Sequence, residues 1–290
     1  MVTFTIVSFS AMVELSIALN KPAQVKQQMD INQDSAASNN HKDQEDTVHF
    51  GYRTVRADEK VKLVKKHFDS IAARYDLINT VLSFGMHHLW KRAAVTMLKL
   101  EPGQQVIDVC GGTADLAIIA ARAVGPSGSI TVYDINPAMM ELGRQKAHKA
   151  DLGDRIRFVH GDAEQISLPD NHFDAAMVGF GIRNVTRMEK GLAEMHRVLK
   201  RGGKFLCLEF SQPGPGAFRR LYDFYSFQVM PRIGRLFTGS SQAYYYLPES
   251  IRLFPSPGAL SKIIEQAGFS NVTYHLLSKG IAAIHMGVKC

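Results

Sequence analysis

The feature that most constrains this chain is an alternation. From residue 103 onward, short β-branched runs take turns with stretches of helical periodicity, an order that specifies a parallel sheet with crossover helices. The strand-like runs are Gln105 to Val109, Ser129 to Asp134, Ile156 to Gly161, Ala175 to Gly179 and Lys204 to Glu209. Helical patterns lie near 115–124, 137–150 and 187–200. Two further runs, Val272 to Ser278 and Ile281 to Val288, are separated only by Lys279 and Gly280, which reads as a hairpin. The expected architecture is α/β: a mostly parallel seven-stranded sheet, an antiparallel C-terminal hairpin and helices on both faces. With 46% hydrophobic and 21% charged residues, the chain has the apolar material for a real core, which excludes a disordered or fibrous class.

The N-terminus reads differently. Residues 2–19 resemble a secretory apolar region, but no Lys or Arg precedes them and Glu14 interrupts them. The same run is barely long enough to cross a membrane and contains three serines. The first arginine is Arg53, which argues against a mitochondrial presequence. Residues 30–47 are polar and read as a disordered linker, so residues 1–47 are expected to be a dispensable tail and 48–290 a single domain. The net charge is +7, but the tail carries three Lys against six acids, so the body holds about +10. That surplus suits an anionic membrane surface, a nucleic acid, an anionic cofactor or plain solubility, and does not choose among them. Three cysteines without ligand spacing, Cys110, Cys207 and Cys290, imply no disulfide framework and no metal site. A reducing, cytoplasmic setting fits them best.

Three strand tips carry the chemistry. Val106 to Asp115 (VIDVCGGTAD) is an apolar strand entering a turn that contains Gly111, Gly112 and Thr113, then a helix. In an open α/β sheet ligands bind beyond the carboxyl ends of the strands, and a helix N-terminus offers free N–H groups there. The dinucleotide pattern G-x-G-x-x-G is absent. Asp134 ends the second strand, where a carboxylate can accept both ribose hydroxyls of a nucleoside; it also suits a helix cap before Asn136 and Pro137. Asp162 and Ala163 follow the third strand, where an acid can accept from an exocyclic amine while the next N–H meets a ring nitrogen.

These residues, with two longer strings, resemble one family: the ubiquinone/menaquinone biosynthesis C-methyltransferases, class I S-adenosylmethionine-dependent enzymes with a Rossmann-like fold. The strings are Tyr75 to Trp90 (YDLINTVLSFGMHHLW) and Arg197 to Gly203 (RVLKRGG) continuing to Ser211, with Phe180 to Val185 (FGIRNV) between them. The likeness runs from Val48 to the C-terminus. It implies S-adenosyl-L-methionine as cofactor, contacted by Gly112, Thr113, Asp134, Asp162, Ala163 and Gly179, and C-methylation of a polyprenylated quinol: demethylmenaquinol, a 2-polyprenyl-6-methoxy-1,4-benzoquinol, or both. Ala114 departs from the family by replacing a loop glycine, Gly179 by standing where serine is usual, and His88 by standing where a basic residue is usual. A methyl at Ala114 threatens the methionine part of the cofactor unless φ is negative, where it is harmless.

Methyl transfer needs the acceptor carbon held in line and water excluded, and the quinol reacts best as a phenolate. Arg183 is the candidate to stabilise that phenolate, beside Asn184; it equally suits a helix cap or an ion pair with an acid. Tyr75 and Asp76 are expected to close a helical lid, 48–102, over the site. His87 and His88 are adjacent and are not expected to share one helix face. Residues 212–257 form an aromatic and basic insertion, with Arg219, Arg220, Arg232, Arg235 and Arg252 among Phe218, Tyr222, Phe224, Tyr225, Phe227, Phe237 and Tyr244 to Tyr246. Such a segment can wall a prenyl channel and rest on anionic lipid, or pack as core. The partners this reading implies are the quinol, the inner face of a membrane, and a quinone-biosynthesis complex or a second copy, with no nucleic acid. Two rival readings keep the fold: a methyltransferase of another small molecule, and a weakly catalytic assembly partner.

Overall fold

The computed structural model describes residues 47–238 and 242–290, with side chains described outside 236–244. Residues 1–46 of the expected tail therefore lie outside the described residues, as do the side chains of Phe237 and Tyr244. The first described element is a hairpin, β1 (Thr47–Phe50) and β2 (Arg53–Arg56), next to the predicted start at Val48. Three helices follow: α1 (Ala57–Ile71), α2 (Tyr75–Leu82) and α3 (Met86–Leu98).

The sheet then forms where the alternation predicts it. Its elements are β3 (Gln105–Val109), α4 (Asp115–Ala123), β4 (Ser129–Asp134), α5 (Pro137–Lys149), β5 (Ile156–His160), β6 (Phe173–Gly179), α6 (Met188–Val198) and β7 (Leu199–Phe210). Residues 212–257 supply α7 (Ala217–Phe224), a π turn at Tyr225–Val229, α8 (Met230–Thr238) and α9 (Gln242–Leu253). The chain closes with α10 (Pro257–Gln266), β8 (Phe269–Leu277) and β9 (Ala282–Lys289). Strand order is β5-β4-β3-β6-β7-β9-β8. The first five strands of that order pair in parallel, while β9 runs antiparallel to both β7 and β8.

Alternation along each strand splits the core between the two faces. Val106, Val132, Met177 and Leu206 pack on one side with Trp90, Ala94 and Leu98 of α3 and the alanines of α4. Ile107, Val109, Val178 and Phe205 pack on the other with Leu192 and Met195 of α6 and Leu260 and Ile264 of α10. A central strand covered on both sides has no use for polar residues, which makes Asp108, fully buried at its fourth position, the first sign of a site.

Candidate functional site

The tip of β3 is shaped by that buried acid. Asp108 accepts from the N–H of Ala117 at 3.1 Å, satisfying one of the free donors at the start of α4. A Cβ on Gly111 would come within 2.9 Å of the Asp108 carboxyl and carbonyl, so the turn tightens only because glycine stands there. Desolvation pushes the Asp108 carboxyl up to about 8.

Asp134 sits against the same turn. Its Oδ2 accepts from Gly112 N–H at 2.8 Å and its Oδ1 from Asn136 N–H at 2.7 Å. The helix-cap role belongs to Asn136 instead, whose side chain accepts from Met139 N–H at 3.0 Å with Pro137 at the first helical position. Burial raises the pKa of Asp134, opposed by those backbone donors. Asp162 lies past the end of β5 and accepts from Glu164 N–H at 2.9 Å, with Ala163 buried beside it.

Two adjoining cavities open here, of about 300 Å³ and about 60 Å³. Both are lined by Cys110, Asp134, Ile135, Gly181 and Asn184. Tyr75, Gly112, Thr113, Gly179 and Arg183 line the larger, and Asp162 and Ala163 the smaller. All nine residues singled out from the sequence are thus brought together. Beyond them the larger cavity is apolar, walled by Phe68, Ile71, Ile78 and Leu82 of the lid and by Tyr222, Tyr225, Met230 and Tyr246 of the 212–257 segment.

The donor and acceptor set suits a nucleoside with a zwitterionic tail. Carboxylates stand at two neighbouring strand tips, and three cavity-lining residues keep buried polar atoms that find no partner among the described residues: Asp108 Oδ1, His87 Nδ1 and Arg183 Nε. Buried polar groups are rarely left unmet without a ligand or water to meet them.

Arg183 is paired with an acid that the sequence reading did not single out. Its Nη1 donates to Glu209 Oε1 at 2.7 Å and to Phe180 O at 2.6 Å, and the two side chains are 7% and 1% exposed. Asn184 accepts from the Tyr246 hydroxyl at 2.9 Å, tying α9 to the site. Burial pushes the Tyr246 phenol up to about 12 and the Tyr75 phenol upward as well. His67, also missed, lines the cavity from α1; burial and the nearby Arg183 lower its pKa to about 4, leaving a neutral imidazole.

Polar contacts from α1 and α2 fasten the lid over the site. Lys60 donates to Val185 O at 3.2 Å, and Asn136 donates to Asp69 at 2.9 Å. Asp76 accepts from Thr113 Oγ1 at 3.1 Å and from Lys146 Nζ at 2.8 Å. Lys146 also pairs with Asp115, which in turn accepts from Lys91 at 2.6 Å.

Two expectations need correction. The adjacent His87 and His88 do converge: both Nε2 atoms lie 3.2 Å from Thr80 Oγ1 and their rings are 3.8 Å apart. They meet because the hydroxyl belongs to the end of α2, which packs against the start of α3. Ala114 has φ +63°, yet its methyl does not reach the cavity; it is fully buried and packs toward Gly143 of α5. A Cβ at Gly179 would lie 2.4 Å from Leu116 Cδ1 of α4, so a serine there requires the tip of Leu116, itself a cavity-lining residue, to turn aside.

The seven-stranded order, with its antiparallel last strand and a site over the strand tips, is the class I S-adenosylmethionine-dependent methyltransferase fold. Solved structures share it. A SAM-dependent methyltransferase of Thermotoga maritima, described as a possible histamine N-methyltransferase, superposes with a TM-score of 0.54 at 19% identity, covering 78% of this chain and 100% of that one. Phosphoethanolamine N-methyltransferase 2 of Haemonchus contortus, in complex with S-adenosyl-L-methionine, gives 0.51 at 16%, covering 69% and 52%. Within that class, the model of the ubiE/COQ5 methyltransferase family matches residues 40–289, and the chain belongs to that family. The ubiquinone/menaquinone biosynthesis C-methyltransferase of Pseudomonas putida strain GB-1 is 46% identical over 245 residues, 84% of this chain and 96% of its own length. Its counterpart in Shewanella pealeana is 44% identical over 247 residues, 85% and 98%.

Proposed function

We propose that this chain methylates a ring carbon of a polyprenylated quinol, a naphthoquinol or a benzoquinol, in respiratory quinone biosynthesis. The observation that carries the proposal is the continuity of the cavity: an acid-rimmed end at the strand tips opens into an apolar end walled by the lid and the 212–257 helices. S-adenosylmethionine supplies an electrophilic methyl group when bound. Asp134 and Asp162, with the N–H groups of the Gly112 turn, would hold its nucleoside, and Thr113 its amino-acid end.

For the acceptor, the side chains do three things. Phe68, Ile71, Ile78, Leu82 and Met230 exclude water and accept the prenyl chain and ring. Arg183, fixed by Glu209 and Phe180, places a permanent cation at the wall, which favours the phenolate over a quinol hydroxyl whose own pKa is near ~10. Asn184, Tyr75 and Tyr246 orient the ring, with Asn184 and Tyr246 held to each other.

The same reading extends to a membrane partner, because the quinol lives in a bilayer. Phe84, which lines the cavity, is 80% exposed, and Leu221 and Phe224 of α7 are exposed as well. No helix among the described residues is long and apolar enough to cross a membrane. These residues would lie on the membrane surface while the cavity draws its substrate from it.

The test is direct. The purified protein is incubated with radiolabelled S-adenosylmethionine and each quinol precursor, and label is expected in one or both quinols. Label in neither, with cofactor bound, would favour the non-catalytic reading.

A further inference from the structure

The larger cavity is lined by one ion pair, Lys91 of α3 with Asp115 of α4, and Asp115 is joined through Lys146 of α5 to Asp76 of α2. The two lysines are not equivalent. An ammonium has three N–H donors. Lys146 donates to Asp76 Oδ2, Asp115 Oδ1 and Thr113 Oγ1, so its donors are committed. Among the described residues, Lys91 donates only to Asp115 Oδ2, at 2.6 Å, and lies 5.9 Å from the centre of the Phe180 ring. It is 8% exposed and lines the cavity.

Charge balance points the same way. The Asp115 carboxylate is shared between both lysines, which hold it well below the usual range against its burial. Asp108 also faces Lys91 from the same cavity, but burial holds its carboxyl up at about 8, so it is largely protonated at neutral pH and the Lys91 side of the cluster is short of negative charge. His87, one helical turn earlier on α3, adds none, since burial and Lys91 lower its pKa to about 3. His88 stacks on His87 and is also free of negative charge. The N-terminus of α4, nine residues long, aims its positive end at the same place. A buried ammonium with spare donors in such a field is suited to one more anion.

S-adenosylmethionine has one anionic group, its α-carboxylate. Asp134 and Asp162, which both line the smaller cavity, disfavour an anion there. We infer that Lys91 is a cofactor-anchoring residue that takes the α-carboxylate, while Lys146 remains committed to the lid through Asp76. The inference rests on the cofactor reading and on the direction in which the cofactor lies.

The test compares two ligands that differ in this group. S-adenosylhomocysteine carries the amino-acid end; 5′-methylthioadenosine has the nucleoside and thioether without it. Both are titrated calorimetrically into the wild-type chain, Lys91→Met and Lys91→Arg. Lys91→Met is expected to weaken S-adenosylhomocysteine about 10- to 100-fold, the range for a hydrogen bond between charged groups. Its affinity for 5′-methylthioadenosine is expected to stay at the wild-type value, which also shows that the variant folds. Lys91→Arg is expected to recover most of the loss. An equal loss for both ligands, or no loss for either, overturns the assignment of Lys91. Failure of the wild-type chain to bind either ligand sinks the cofactor reading beneath it.

Discussion

Arg183 and Glu209 meet at 2.7 Å where water hardly reaches, so neither charge can be removed alone without cost. Breaking a buried pair from one side typically costs about 3–5 kcal/mol, because the other charge is left unpaired. Arg183→Met is therefore expected to lower both the thermal midpoint and turnover. Adding Glu209→Gln removes the stranded carboxylate, retains an acceptor for the Phe210 N–H, and is expected to restore most of the midpoint. Turnover in the double variant should stay low while cofactor affinity, read by calorimetry, matches the wild type. Recovery of turnover along with the midpoint would show that Arg183 acts only as a structural partner. The sequence supports half of this argument. An arginine just past a strand tip is readable, but Glu209 lies 26 residues away on another strand, and only the parallel pairing of β6 with β7 puts the two together. Ala114 is the reverse case: its left-handed φ has no marker in a residue other than glycine, so the direction of its methyl was not readable.

The lid helices are held to the sheet by few polar contacts, and Asp76 makes two of them. Its side chain is 40% exposed, so solvent screens the ion pair with Lys146 and limits its worth to about 1 kcal/mol or less. Asp76→Asn should accordingly leave the thermal midpoint nearly unchanged, with Lys60 and Asp69 still fastening α1. The effect is expected in function: a higher KM for the quinol, because Tyr75 and Ile78 on the same helix wall its cavity. A lower midpoint with unchanged KM would make Asp76 a structural tie alone. The elements themselves were legible. β3, β4 and α4 start and stop within a residue of their sequence patterns, since β-branched runs and a turn of special residues mark each boundary. The lid's contacts were not legible, because Asp76, Thr113, Lys146 and Asp115 come from different elements and no local pattern records which charges will face each other. The histidine pair shows the same limit, as adjacency on one helix said nothing of a hydroxyl approaching from the next.

Charge and exposed apolar surface are unevenly spread over the molecule, and they coincide. Residues 47–100 hold ten Lys and Arg against four acids, and 212–257 five against two. The rest of the described chain is close to neutral. Nine of the ten exposed large hydrophobic residues among those described also lie in these two segments, Leu276 being the exception. Both segments wall the apolar end of the cavity, and Phe84 stands on its rim. Exposed apolar residues and surplus positive charge on the segments that wall a cavity suit an anionic bilayer surface, where each basic residue near the headgroups contributes about 1 kcal/mol and salt screens the attraction. The chain is therefore expected to float with vesicles containing phosphatidylglycerol, to bind purely zwitterionic vesicles weakly, and to release as salt is raised. Replacing Leu221 and Phe224 by serine should reduce flotation without affecting calorimetric cofactor binding, because neither residue lines the cavity. With a short-chain, water-soluble quinol the same variant should turn over at the wild-type rate, and with a long-chain quinol in vesicles it should slow. Equal flotation on neutral and anionic vesicles, or a variant that floats like the wild type, would place the membrane contact elsewhere and leave the basic lid as a solvated surface.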